Sequence, residues 1–285
     1  EAFTPAIDTT NETTGLPGEI NIDGKQSIPA RKDISGITIA DQLVKAGFYW
    51  KSYQESLPPT GADLVNVSDG FFTNNTDFSQ ITPVLKPPLT SADLVYLYAV
   101  KHNPFAYFAS VQDGTDARNS FKNIVGFGGP HGLFADLSDG KAPTLAFIAP
   151  NQCNDQHGRG NAGAFCNYDP NDDGTQAGLN PALIYQGDVT VRNLVVAIKA
   201  SPAWKQGRSA IVVVWDENDY SISPTTNQVL VIVDTNYGAH GVRSNHRYTH
   251  YSLTKTLDAA FGLPCLNHAC DDDVDAMSDL FAEKQ

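Results

Sequence analysis

The sequence predicts an α/β fold: a mostly parallel central sheet flanked by helices, with long ordered loops. Three observations carry this. Residues 211–215 (Ile-Val-Val-Val-Trp) form a short, β-branched, wholly apolar run, which reads as a strand buried on both faces, as inside parallel sheets. Two further apolar runs, 144–149 and 229–233, read as strands of the same kind. Helical periodicities at 189–203 and 249–261 alternate with these strands. A chain of 285 residues suits a single such domain over 1–285.

Taken in order, residues 1–36 are rich in Thr, Pro, Gly and Asp and read as irregular. Residues 37–52 carry Ile39, Leu43, Val44, Phe48 and Tyr49 at helical spacing, with Gly47 near the expected end. Pro, Gly, Asn and Thr clusters make 56–90 a long loop, and Ser91 caps a helix through Leu94, Val95 and Leu97. Pro104 disfavours helix at Asn103 and ends it. A short helix near Ser120 and a Gly-rich loop precede the strand at 144–149. The polar excursion 151–180 is long for a compact domain and marks function or disorder. The helix at 189–203 presents Val191, Leu194, Val195 and Ile198 on one face; that at 249–261 presents Leu253, Leu257 and Phe261. Asp271, Asp272, Asp273 and Asp275 read as the first turn of a last helix, where carboxylates favour the dipole.

Composition narrows the function classes. The formal net charge of −13 and the lack of a basic run argue against nucleic acid, whose phosphates need clustered Lys and Arg. No apolar stretch approaches the ~20 residues of a membrane span. The start at Glu1, without Met or a signal-like segment, reads as a processed or trimmed end. Four cysteines fall in two local pairs, Cys153–Cys166 and Cys265–Cys270. Two disulfides and an oxidising compartment, secreted or periplasmic, are the favoured reading. A zinc site is the competing one, though neither pair has C-x-x-C spacing. Sequons at Asn11, Asn66 and Asn74 carry weight only in a eukaryotic host.

The chemistry gathers at strand ends. Asp216 and Glu217 follow the 211–215 strand directly, where open α/β sheets bind ligands and where a hard metal ion finds carboxylates; a helix cap or solvated turn is the plainer alternative. His102, His157, His240 and His250 lie at a corner, after strands and at a helix start. His157 and His240 are expected on the same side as Asp216 and Glu217, making a His–carboxylate cluster. Asp169, Asn171 and Asp173 with Gly174 match the opening of a calcium loop, but its twelfth position is Asn180 and its flanks are not helical. An Asx-turn is the alternative. No Gly-x-Ser-x-Gly elbow, P-loop or Rossmann fingerprint occurs.

Four segments in order, YAVKHNPFAYF (98–108), FIAPNQCNDQHG (147–158), VVVWDENDYS (212–221) and THYSLTKTLDAAFGLPCLNHAC (249–270), resemble the phosphoesterase family over about 37–270. That family holds acid phosphatases and bacterial phospholipases C, with an alkaline-phosphatase-like fold. The resemblance implies that Asp216 and Glu217 ligate a divalent metal of open identity, and that His102 and His157 lie near the phosphoryl group. His250 matches a frequent family histidine without a firm role. The implied activity is hydrolysis of phosphate esters through a Ser or Thr phosphoenzyme. The family's N-terminal Glu-Asn pair and its T-H-P-S-type nucleophile segment do not occur in these 285 residues. The alternative is therefore an inactive domain that binds phosphate or a partner. The sulfatase C-x-P-x-R segment is also missing.

Overall fold

The computed structural model describes residues 35–57, 98, 102–151, 153–156, 181–218 and 227–281. Helix α1 (Ile39–Lys45) opens on a reciprocal cap: the Thr38 hydroxyl accepts from the Asp41 amide, and the Asp41 carboxylate accepts from the Thr38 amide at 2.8 Å. Gly47, at φ 83°, turns the chain in the left-handed region, where a side chain would be strained. The helix expected over 37–52 therefore stops early, and its last residues enter strand β1 (Trp50–Gln54). This is a correction, and its cause is the glycine: past Gly47, Trp50, Ser52 and Gln54 follow the two-residue period of a strand.

Strand β1 is the centre of a parallel three-stranded sheet ordered β2-β1-β3, where β2 is Ile124–Gly126 and β3 is Leu145–Ala149. Ser52 pairs Ile124 on one side and Phe147 on the other. All five β1 residues are buried. Trp50 enters a core with Leu43, Tyr98, Phe105, Tyr107 and Val111, and its ring stacks on Phe105 at 4.5 Å. The opposite face carries Tyr53 into a second core with Val125, Phe127, Leu133, Leu137 and Leu194. Lys51 shares that face. Its ammonium pairs with the buried carboxylate of Asp136, which also accepts the Tyr53 hydroxyl at 2.7 Å. Burial, then the bond to Asp136, pushes the Tyr53 phenol well above its ordinary pKa.

Helix α2 (Ala109–Asp113) and helix α3 (Leu133–Asp139) flank β2, and both end on left-handed glycines, Gly114 and Gly140. Neither helix nor β2 was expected from the sequence. Ser120 does cap a short turn, a 3₁₀ segment at Phe121–Asn123. Helix α4 (Pro181–Ala200) starts earlier than the periodicity at 189 indicated. Ser201 then caps helix α5 (Pro202–Gln206). Leu194, Ala197 and Ile198 of α4 pack on the second core, consistent with the face read from sequence.

Strands β4 (Ala210–Val214) and β5 (Val231–Thr235) lie where expected, but not as expected. They pair with each other, antiparallel, as a two-stranded ribbon, with Val214 opposite Val231 and Ala210 opposite Thr235. No β4 residue is fully buried, and Val214 and Ile232 are exposed. The reading of 211–215 as a strand buried on both faces of a parallel sheet is thus corrected. An apolar run specifies extended structure, but its burial depends on what packs against it. Helix α6 (His250–Phe261) follows, capped by Thr249 and closed by Gly262, with Phe261 against the first core. The Cys265–Cys270 disulfide is formed. Asp271–Asp273 form a turn before a 3₁₀ segment at Ser278–Phe281, not the start of an α-helix, and Asp271 pairs with His268 at 3.0 Å. Among the described residues no helix is long and apolar enough to cross a membrane. The loop at 58–90 and the helix expected after Ser91 lie outside the described residues.

Candidate functional site

The parallel sheet ends where β1 runs into Glu55 and Ser56. The Glu55 amide donates to the Ala149 carbonyl at 3.0 Å, carrying the ladder one residue past the end of β1. The buried Glu55 carboxylate then gathers the chain that leaves β3. It accepts the Asn151 amide at 2.9 Å and the Asn154 side-chain amide at 2.9 Å on each oxygen. The Asn151 side chain donates to the Ser56 hydroxyl at 3.0 Å and accepts the amides of Cys153 and Asn154. This is an Asx-turn, built because Asn competes with backbone partners in tight turns. Burial pushes the Glu55 carboxyl up to about 7, against the lowering effect of the Asn151 and Asn154 bonds; the nearby Asp155 charge adds to the rise.

The second piece is the His102 corner. Asn103 is fully buried, accepts the Ser52 hydroxyl at 3.2 Å and donates to the Tyr98 hydroxyl at 3.1 Å. It thereby ties the corner to β1, while Pro104 starts the next turn. His102 Nδ1 lies 4.0 Å from the Asp155 carboxylate, both side chains being partly exposed. A carboxylate at this distance favours the cationic imidazolium.

The third piece is the tip of the ribbon. The Trp215 indole N–H donates to the Gln156 side-chain oxygen at 2.8 Å, and the Gln156 amide donates to the Ile184 carbonyl at 3.1 Å. Gln156 adopts φ 73°, an unusual backbone for a residue with a side chain. His250 Nε2 lies 2.8 Å from the Trp215 carbonyl. A carbonyl oxygen only accepts, so Nε2 carries the proton in this contact. Asp216 and Glu217 come next and are solvent-exposed.

One short turn, 153–156, thus links the parts. Asp155 reaches His102, Asn154 reaches Glu55, and Gln156 reaches Trp215, which His250 also touches. His240 is not part of this arrangement. Because β5 runs antiparallel to β4, the chain leaves β5 beside Ala210, at the opposite end of the ribbon from Asp216; the expected grouping is corrected accordingly. Two adjacent carboxylates suit a hard divalent ion as part of a donor set. Among the described residues, however, no group of three or more His, Cys, Asp or Glu is arranged to hold a metal. His157, the calcium-loop residues Asp169, Asn171 and Asp173, and Cys166 lie outside the described residues; Cys153 is disulfide-bonded.

Sequence reasoning missed Glu55, Asn151, Asn154 and Asp155. Glu55 was overlooked because the helical reading of 37–52 hid the strand it ends. The signal for the others was the density of Asn and Asp in PNQCND directly after a strand.

A model of the phosphoesterase family matches residues 8–167, more than half of the chain. Three relatives align. An acid phosphatase of Aspergillus fumigatus is 26% identical over 230 residues, covering 80% of this chain and 40% of the relative. A phosphatidylinositol-3-phosphatase of Mycobacterium tuberculosis is 27% identical over 219 residues, covering 75% and 56%. A phosphate-repressible acid phosphatase of Penicillium chrysogenum is 26% identical over 230 residues, covering 80% and 43%. The chain thus spans 40–56% of the length of these curated relatives.

Proposed function

The chain belongs to the phosphoesterase family, and from this premise we propose that it acts in the hydrolysis of phosphate esters, in the manner of an acid phosphatase. The observation that supports a site here is the 153–156 turn. It meets the His102 corner through the 4.0 Å ion pair of Asp155, and the Trp215–Asp216–Glu217 tip of the ribbon through the hydrogen bond of Gln156 to Trp215. Loops at the carboxyl ends of strands are where such sheets place their chemistry.

In this reading the imidazolium of His102, kept charged and oriented by Asp155, donates to a phosphoryl oxygen or protonates the leaving alcohol. His157, two residues beyond Asp155 in sequence, shares that task. His250 buttresses the Trp215 carbonyl and so the strand end that carries Asp216 and Glu217. These two carboxylates are assigned to a divalent metal whose coordination they do not complete alone. When bound, such an ion would offset charge on the phosphoryl group and activate a Ser or Thr nucleophile; none of the matched segments carries that nucleophile. An acidic working pH keeps His102 cationic. The Cys265–Cys270 disulfide supports an oxidising compartment, secreted or periplasmic.

The test is hydrolysis of p-nitrophenyl phosphate, with divalent metal added, by the wild-type chain and by Asp216→Ala and Glu217→Ala. The expected result is a loss of at least ~100-fold in each variant, as for removal of a group acting on transition-state charge. Wild-type rates in either variant overturn the assignment. Binding of inorganic phosphate by a wild-type chain that turns nothing over would instead make it a phosphate-binding domain.

A further inference from the structure

We propose that Glu55 is a positioning residue for this site: by holding Asn151 and Asn154, its buried carboxyl group sets the 153–156 turn so that Asp155 stands beside His102. The proposal rests on the reading of His102 as a phosphoryl-contacting group.

The geometry supports a tether more than a packing role. Glu55 directly follows the central strand of the parallel sheet, which is paired on both edges, and is 4% exposed. Two N–H donors, the Asn151 amide and the Asn154 side-chain amide, make three contacts to its two oxygens. Asn154, which makes two of these contacts, is the residue directly before Asp155, and its own side-chain oxygen accepts from Gln186 of α4 at 2.9 Å. The Asp155 backbone is therefore held from the sheet on one side and from α4 on the other. The turn must also hold Gln156 at positive φ while its side chain meets Trp215. A conformation of that kind persists only where its surroundings fix it. The charged group that faces Glu55 is Asp155, and Asp155 in turn faces His102.

The experiment is titration of the His102 ring by ¹⁵N-detected NMR in the intact chain, which needs no turnover. Asp155→Asn is expected to lower the His102 pKa by about one unit, the effect of losing an adjacent opposite charge. Asn154→Ala, which keeps the Glu55 carboxyl group itself, is expected to lower it in the same direction by releasing the turn. Glu55→Gln is expected to do likewise in the Asp155-containing protein, and to do nothing further in the Asp155→Asn background. A merely structural role would lower the melting temperature of these variants without moving the His102 titration. An unchanged His102 pKa in Asn154→Ala overturns the proposal. So does a Glu55→Gln shift that persists in full without Asp155, because the carboxylate would then act through its field. Should Glu55→Gln fail to fold, Asn154→Ala alone decides. If the titrations behave as expected while p-nitrophenyl phosphate is not hydrolysed, the tether stands and the catalytic reading falls.

Discussion

The parallel sheet and the β4–β5 ribbon contribute to the same candidate site by opposite means. Strand β1 is buried along its whole length and ends in a carboxylate surrounded by amide donors. The ribbon is half-exposed and ends in two carboxylates that face solvent. Yet the ribbon has the more apolar sequence: Ile211, Val212, Val213 and Val214, against Lys51, Ser52, Tyr53 and Gln54 in β1. Residue hydrophobicity therefore ranks these two strands in the wrong order of burial. Position in the sheet decides instead: among the described residues β1 has strand neighbours on both edges, while β4 has one on a single edge. Polar residues can sit in the central strand because each finds a partner, as Lys51 finds Asp136 and Ser52 finds Asn103.

The largest contrast should come from breaking a partnership inside the sheet. Asp136→Ala leaves the Lys51 ammonium buried and uncompensated, and a loss of about 3–5 kcal/mol is expected from urea unfolding. A loss no greater than that of a ribbon substitution would break the comparison. Next is the pH dependence of stability. The folded-state pKa of Glu55 is raised, to about 7 from an ordinary 4.5. Its contribution is fully present below pH 4.5 and is lost as pH rises through 7. The loss is on the order of 3 kcal/mol, and Glu55→Gln should flatten that part of the profile. A wild-type profile in which this step runs the other way would show that the amide donors outweigh burial.

A smaller effect is expected where the two regions meet. Gln156→Ala removes the bond to Trp215, at a cost of about 0.5–1.5 kcal/mol. It should also raise the exposure of the indole, read by fluorescence quenching; an unaltered indole would mean that sheet and ribbon are not joined there. The smallest effect belongs to the ribbon surface. Ile232→Ser, at a position 46% exposed, should change stability by no more than about 0.5 kcal/mol. A larger loss would show that the ribbon face is covered in the native protein.

How much of this could be read from the sequence follows the same division. The strands at 145–149, 210–214 and 231–235 and the helix at 250–261 were legible because each is a short run of consistent period. Strand β1 was hidden because its polar members, Lys51, Ser52 and Gln54, are matched to partners distant in sequence, which no local pattern reveals. The antiparallel pairing of β4 was invisible for the same reason, and with it the exclusion of His240 from the cluster. At the site, His102, Asp216, Glu217 and His250 could be picked out by residue type at element ends. Glu55 could not, since its contacts exist only once β1 and β3 lie side by side; Asn154 and Asp155 were marked only by the density of Asn and Asp in PNQCND after a strand.

The central claim is that the sheet end and the ribbon tip form one phosphoryl site. It is tested most directly by kcat/KM for p-nitrophenyl phosphate in wild type, His102→Ala, Glu217→Ala and the double variant. Groups that act on the same transition state are strongly non-additive, so the double variant is expected to lose little more than the worse single variant. Losses that multiply in full would contradict a shared site, and a wild-type rate in either single variant would remove that residue from it.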